Sequence, residues 1–192
     1  MRAFVAIPPS NDAMHAVHEL QEYLRKFPPF ADFRWIPSSN VHMTLRFLGD
    51  ISEEEAAAAA SALDAVCARG RSFSFPLECL GVFPRPRNPG VLWAGSHHSP
   101  VELLKLAESL AGELESAGFP AEDRLFRPHL TLARRRRNAR SLKGVNEALK
   151  EAEKKWLSPP ILVPSTEAVL FRSELRPGGA VYQAVHRVPF LN

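Results

Sequence analysis

Threonine is nearly absent from this chain: Thr44, Thr131 and Thr166 are the three in 192 residues. Cysteine is scarcer still. Cys67 and Cys79 make neither a disulfide framework nor a zinc site, and each sits in an apolar stretch as a small buried hydrophobe. No apolar run approaches the roughly 18 residues that a membrane-spanning helix needs. The first ten residues, MRAFVAIPPS, hold one basic residue and end in Pro-Pro, where a signal peptide would carry a small-residue cleavage site. They read as a first strand, and the expected compartment is the cytoplasm. No glycine-rich P-loop pattern occurs, so nothing supports nucleoside triphosphate chemistry. With 45% hydrophobic and 23% charged residues the composition is that of an ordinary globular protein, read as one bilobal domain over 1–192.

Against this background one pattern repeats. VHMTLRFLGD (41–50) and PHLTLARRRR (128–137) each spell His-x-Thr-Leu. With seven histidines and three threonines, chance placement gives roughly 0.1 His-x-Thr matches in a chain of this length. Two matches, both continued by Leu, call for a physical reason.

The surroundings of the two copies are also alike. RAFVAI (2–7) reads as a strand, and Met14, Val17, Leu20, Leu24 and Phe27 follow at helical spacing until Pro28-Pro29. FRWI (33–36) and a Pro-Ser-Ser-Asn turn lead into the first motif strand. There, alternation places Val41, Met43, Leu45 and Phe47 toward the core and His42, Thr44 and Arg46 on the polar face. Ser52-x-x-Glu55 is a capping box opening an Ala-rich helix that ends near Gly70. SFSFPLECLGVF alternates as a strand, a Pro- and Arg-rich loop (84–90) follows, and VLWAG (91–95) is another strand. Ser99-Pro100-x-Glu102 reads as a second capping box, opening a helix that stops at Gly118. The second motif repeats the parity, with Leu130 and Leu132 inward and His129, Thr131 and Ala133 on the other side. A helix around 141–157 and two C-terminal strands complete a pseudo-duplicated α+β fold. Its two lobes each carry a small, mainly antiparallel sheet with helices outside, and a cleft lies between them.

A strand holds the two side chains of each His-x-Thr on one face, about 7 Å apart at the backbone. Two facing pairs supply two acid/base groups and two hydroxyl donors, which suits in-line displacement at a phosphodiester. That reaction needs a base for the incoming oxygen and an acid for the departing one, and histidine serves as either near pH 7. A two-metal phosphodiesterase would want clustered carboxylates beside the histidines; Asp50 is the one Asp near either motif. Neither a metal nor a cofactor is expected. Net charge is +3, yet Arg134, Arg135, Arg136, Arg137, Arg140 and Lys143 crowd into ten residues directly after the second motif. Such a run beside the site points to a polyanionic partner such as RNA.

RWIPSSNVHMTLRFLGD and FRPHLTLARRRR resemble the paired motifs of the 2H phosphoesterase family, nearest its RNA 2′,3′-cyclic phosphodiesterase branch, formerly called 2′-5′ RNA ligase. MRAFVAI, GVFPRPRNPGVLWAG and LRPGGAVYQAV extend the likeness along the chain. The resemblance implies a bilobal α+β fold and metal-free hydrolysis of a terminal 2′,3′-cyclic phosphate to a 2′-phosphate. In it His42 would protonate the leaving 3′ oxygen, His129 would activate water, and Thr44 and Thr131 would hydrogen-bond the phosphate. Arg46 stands where relatives often carry Lys. Arg134 is the further phosphate contact expected here, with Phe126 and Tyr182 as candidate substrate contacts and Trp35 as a candidate cleft wall. His15, His18, His97 and His98 read as surface residues and His186 as structural. The partners expected are RNA with a cyclic phosphate end or a small cyclic nucleotide, without a membrane or an obligatory protein partner. Competing readings are a 2H phosphodiesterase or ligase acting on a small cyclic or 2′-5′ linked nucleotide, and a non-catalytic RNA-binding module of the same fold.

Overall fold

The computed structural model describes residues 1–86, 88–123, 125–136, 143–177 and 179–191. Arg137 and Arg140 of the basic run lie outside the described residues. Strands β1 (Arg2–Ile7), β2 (Phe33–Trp35) and β3 (Met43–Asp50) alternate with helices α1 (Asn11–Leu24) and α2 (Glu53–Cys67). Strands β4 (Phe73–Leu77), β5 (Cys79–Arg85) and β6 (Asn88–Gly95) precede α3 (Val101–Ser116) and β7 (Leu130–Arg135). Then come α4 (Val145–Trp156), β8 (Ile161–Ser165), β9 (Glu167–Arg176) and β10 (Gly179–Pro189). No helix among the described residues is long and apolar enough to cross a membrane.

Local chemistry sets several boundaries. The Ser10 hydroxyl accepts from the Ala13 amide at the start of α1. The box at α2 closes in both directions, with Glu55 N–H donating to Ser52 Oγ at 3.1 Å and Ser52 N–H to Glu55 Oε2 at 2.7 Å. The box expected at Ser99 does not form: Pro100 is itself the cap and no side chain satisfies the first turn of α3. Gly118 adopts φ +93° just past α3, a conformation that glycine takes without strain. SFSFPLECLGVF is two strands in different sheets, β4 and β5, and the C-terminal region holds three strands instead of two.

The main sheet has the order β10-β9-β1-β3-β7-β6-β5, with β2 pairing beside β7; β4 and β8 form a separate ribbon. All recorded strand pairs in these sheets are antiparallel. Its two halves meet at one pair, Met43 opposite Leu130. The duplication is exchanged: β1-β3 is flanked by β9 and β10 from the second half of the chain, and β7 by β6 and β5 from the first. The helices follow the same exchange, with α2 packing on α3 and α1 on α4. Neither half of the sequence therefore completes its own half-sheet. The core runs continuously beneath both, through Val5, Ile7, Met43, Leu63, Leu92, Leu110, Leu130 and Leu170.

Each motif strand carries a bulge at the same place. Along β3, Thr44 lies opposite Ala6 and Arg46 opposite Val5, leaving Leu45 without an opposite residue. Along β7, Thr131 lies opposite Trp93 and Ala133 opposite Leu92, which leaves Leu132 extra. One added residue reverses the facing of everything beyond it. The expected parity holds through Leu45 and then fails: Arg46 is buried at 7% exposure and Phe47 stands out at 60%. Ala133, expected beside Thr131, is buried in the core, and Arg134 takes the outward place. The fourth letter of His-x-Thr-Leu is thus the bulge residue in both copies.

Candidate active site

Antiparallel residues directly opposite one another point to the same side of a sheet. With Met43 opposite Leu130, both core-facing, the flanking His42, Thr44, His129 and Thr131 fall on the other face. This register places His42 across from Thr131 and Thr44 across from His129, around a local two-fold axis. The repeated tripeptide is explained: the two copies meet in equivalent roles about a single strand contact.

The imidazoles are held alike. His42 Nδ1 lies 2.7 Å from the Asn40 carbonyl and His129 Nδ1 lies 2.7 Å from the Arg127 carbonyl. A carbonyl only accepts, so each Nδ1 carries the hydrogen, and each Nε2 is the nitrogen left for chemistry. Aromatic rings fix the planes. His42 stacks on Phe4 at 4.7 Å between ring centroids, with Phe171 at 6.4 Å and Tyr182 edge-on at 5.2 Å. His129 meets Phe83 edge-on at 5.2 Å and Trp93 at 6.3 Å. Trp93 reaches that position because its partner across the ladder is Gly81; a Cβ there would stand 2.1 Å from the indole.

Burial governs the electrostatics. Desolvation pulls the His42 pKa down to about 4, against a smaller upward effect of the Asn40 carbonyl; the charges of Arg134 and His129 lower it further. His129 is also lowered, first by desolvation and then by Arg134, with the Arg127 carbonyl opposing. Arg134 therefore sits within electrostatic reach of both imidazoles, on the face to which the Leu132 bulge turns it. An anion between the histidines would answer all three positive or ionisable groups at once. Among the described residues no three His, Cys, Asp or Glu side chains group as a metal site.

The remaining expectations divide. Tyr182 stands beside His42. Phe126 and Trp35 are partly buried against the core, and the Arg25 guanidinium lies 5.4 Å above the Trp35 ring. Arg46, expected on the polar face, reaches inward to the Pro120 carbonyl and lies 3.5 Å from Glu122. His186 bonds Asp64 at 2.8 Å, joining β10 to α2, and His15, His18, His97 and His98 are exposed. Cys67 is buried and Cys79 half-buried, with burial pushing their thiols up to about 12 and about 11. Sequence reasoning missed Phe4 and Trp93, aromatic residues on the strands next to the motif strands, and Phe83 and Gly81 one strand further out on β5.

The duplication seen in the sheet also appears in sequence comparison. The model of the LigT like phosphoesterases matches residues 7–93 and, a second time, residues 96–182. His42 falls 35 residues into the first match and His129 33 into the second (7 to 42 and 96 to 129). The fold, with both halves of the chain matching one model, is that of a phosphoesterase. The chain belongs to the LigT like phosphoesterase family. An RNA 2′,3′-cyclic phosphodiesterase of Thermotoga maritima is 32% identical, over 99% of this chain and 96% of that protein. One from Aquifex aeolicus is 33% identical over 79% of this chain and 78% of its own. Among solved structures, a protein of Thermus thermophilus superposes with a TM-score of 0.77 at 28% identity, covering 99% of this chain and 98% of that one. E. coli LigT complexed with 3′-AMP gives 0.76 at 25% identity over 100% and 98%.

Proposed function

We propose that this protein hydrolyses the 2′,3′-cyclic phosphate at an RNA end to a 2′-phosphate, within one bilobal domain. The observation that carries the reading is the Met43–Leu130 contact beside two imidazoles whose Nδ1 atoms are anchored on carbonyls, with no hydrogen bond to either Nε2 among the described residues. Several relatives bear the name RNA 2′,3′-cyclic phosphodiesterase, and this supports the substrate class.

In the proposed reaction a water attacks phosphorus and gives its proton to Nε2 of neutral His129. The P–O3′ bond breaks on the opposite side, and the departing 3′ oxygen takes a proton from Nε2 of His42. Thr44 and Thr131 donate to the non-bridging oxygens, and Arg134 balances their charge. The resulting His129 cation and neutral His42 exchange a proton with solvent before the next turnover. General acid and general base steps each contribute typically 10²–10⁴ in rate.

The test is incubation with an oligonucleotide ending in a 2′,3′-cyclic phosphate, in EDTA, followed by identification of the phosphate position. A 2′-phosphate is expected. A 3′-phosphate overturns the role assignment, because the 2′ oxygen would then have left, and turnover of small cyclic nucleotides alone removes RNA as the substrate.

A further inference from the structure

Among the described residues three polar side chains are buried: Gln21, Arg46 and Ser165. Two of them adjoin the bulges of the motif strands. Arg46 follows the bulge at Leu45 and turns inward to the Pro120 carbonyl. At the second bulge the inward residue is Ala133, and the polar group arrives from α1 instead, as Gln21.

Helix α1 buries Ala13, Val17, Leu20 and Leu24, and Gln21 lies among them at 1% exposure. Its carboxamide nitrogen stands 2.9 Å from the Ile36 carbonyl and 2.9 Å from the Leu132 carbonyl. Both partners only accept, so the nitrogen of the amide faces them and both of its hydrogens are spent. Leu132 is the bulge itself, one residue beyond Thr131 and two before Arg134, and its carbonyl also accepts from the Ile36 amide at 2.9 Å. Ile36 follows the last pair of the β2–β7 ladder, Trp35 with Ala133, and opens the turn to Asn40, whose carbonyl holds His42. One buried amide thus ties the approach to the first motif to the strand of the second.

The end of β7 needs such a hold. Arg34 lies directly opposite Arg134 in the ladder, and like charges in opposite positions destabilise a strand pair. A slip of one residue at Leu132 would carry Arg134 inward and Ala133 outward, since facing alternates along a strand. With Gln21 on the Leu132 carbonyl, that slip strands a buried amide without its acceptors, which is costly.

We infer that Gln21 is a positioning residue of the site: by fastening the Leu132 bulge to the Ile36 carbonyl, it keeps Arg134 on the face of the two histidines. The inference rests on the proposed function, in which Arg134 is a contact of the bound phosphate. Gln21 itself stays in the core and takes no part in the chemistry.

Gln21→Met keeps the length of the side chain and removes both donors. Binding of inorganic phosphate is measured by NMR titration in the wild type, Gln21→Met, Arg134→Ala and the double variant. Gln21→Met should weaken phosphate about threefold or more, within the range of coupling between connected residues, and should add nothing in the Arg134→Ala background. The imidazoles of His42 and His129 should titrate at higher pH in Gln21→Met, as in Arg134→Ala, because both lose a nearby guanidinium charge. A glutamine that only stabilised the fold would lower Tm and leave both readouts unmoved. In the wild type, where no variant has to fold, the Gln21 side-chain amide resonances should shift on adding phosphate, with the same midpoint as the Arg134 guanidinium. Unchanged phosphate affinity and histidine titration in Gln21→Met, an equal loss in the Arg134→Ala background, or amide resonances indifferent to phosphate overturns the inference alone. Undiminished phosphate affinity in Arg134→Ala removes Arg134 from the proposed reaction, and this inference falls with it.

Discussion

With a pKa near 4, His42 is charged in about one free molecule in a thousand at pH 7, against about one in four for an unperturbed imidazole. An acid so rarely protonated is of use only when substrate restores its proton. In the proposed reaction, a phosphodiester monoanion held by Thr44, Thr131 and Arg134 would bring an opposite charge close to both rings, and such a charge raises an imidazole pKa. The profile of kcat/KM reports the free enzyme and that of kcat the bound complex. Both should be bell-shaped, with the kcat/KM bell centred below 6.5 and the kcat bell displaced to higher pH. The limbs belong to the coupled pair of histidines. Stability follows the same shift. The folded His42 resists a proton that the unfolded chain accepts near 6.5, so its contribution is fully present above that pH. It is lost as pH falls toward about 4. Titration of the imidazole resonances by NMR, with and without inorganic phosphate, tests the premise directly. Titration of His42 at 6.5 or above in the free protein, or no upward movement on adding phosphate, refutes the reasoning.

Replacing His42 or His129 by Ala should each lower turnover roughly 10²–10⁴-fold, and the double variant should lose less than the product of the two, since both act in one step. Arg134→Ala should raise the pKa of both histidines in an NMR titration while weakening inorganic phosphate binding on the order of tenfold or more, the loss of a hydrogen bond to a charged group. Gly81→Ala forces Trp93 off its seat. It should cost about 1–3 kcal/mol in denaturant unfolding and reduce kcat through His129, and the stability cost should vanish in a Trp93→Leu background. Arg46→Ala removes a buried side chain together with its bond to the Pro120 carbonyl and should cost about 1–3 kcal/mol. Its neighbour Phe47→Ala, at a 60% exposed site, should stay within about 0.5 kcal/mol of wild type; the opposite order in thermal unfolding would contradict the bulge at Leu45.

Much of this was legible along the chain because it depends on near neighbours. Strand alternation alone puts a histidine and the threonine two residues later on one face, and so it assigned His42 with Thr44 and His129 with Thr131. The capping box at Ser52 closes within four residues and formed as expected, whereas the one at Ser99 lost to the proline after it. Alternation stops being reliable where a partner strand intervenes. Whether Leu45 and Leu132 pair or bulge is decided by what β1 and β6 offer opposite them, about 40 residues away along the chain, and no local pattern carries that information. Those two bulges sent Arg46 and Ala133 inward and turned Phe47 and Arg134 outward, which is why Arg134 shares a face with both histidines. The meeting of the motifs is likewise tertiary. The sequence spells two His-x-Thr motifs 87 residues apart (42 to 129). The contact of Met43 with Leu130, between strands that lie far apart along the chain, brings them to one face, because pairing across a sheet is fixed by the fold and not by near neighbours.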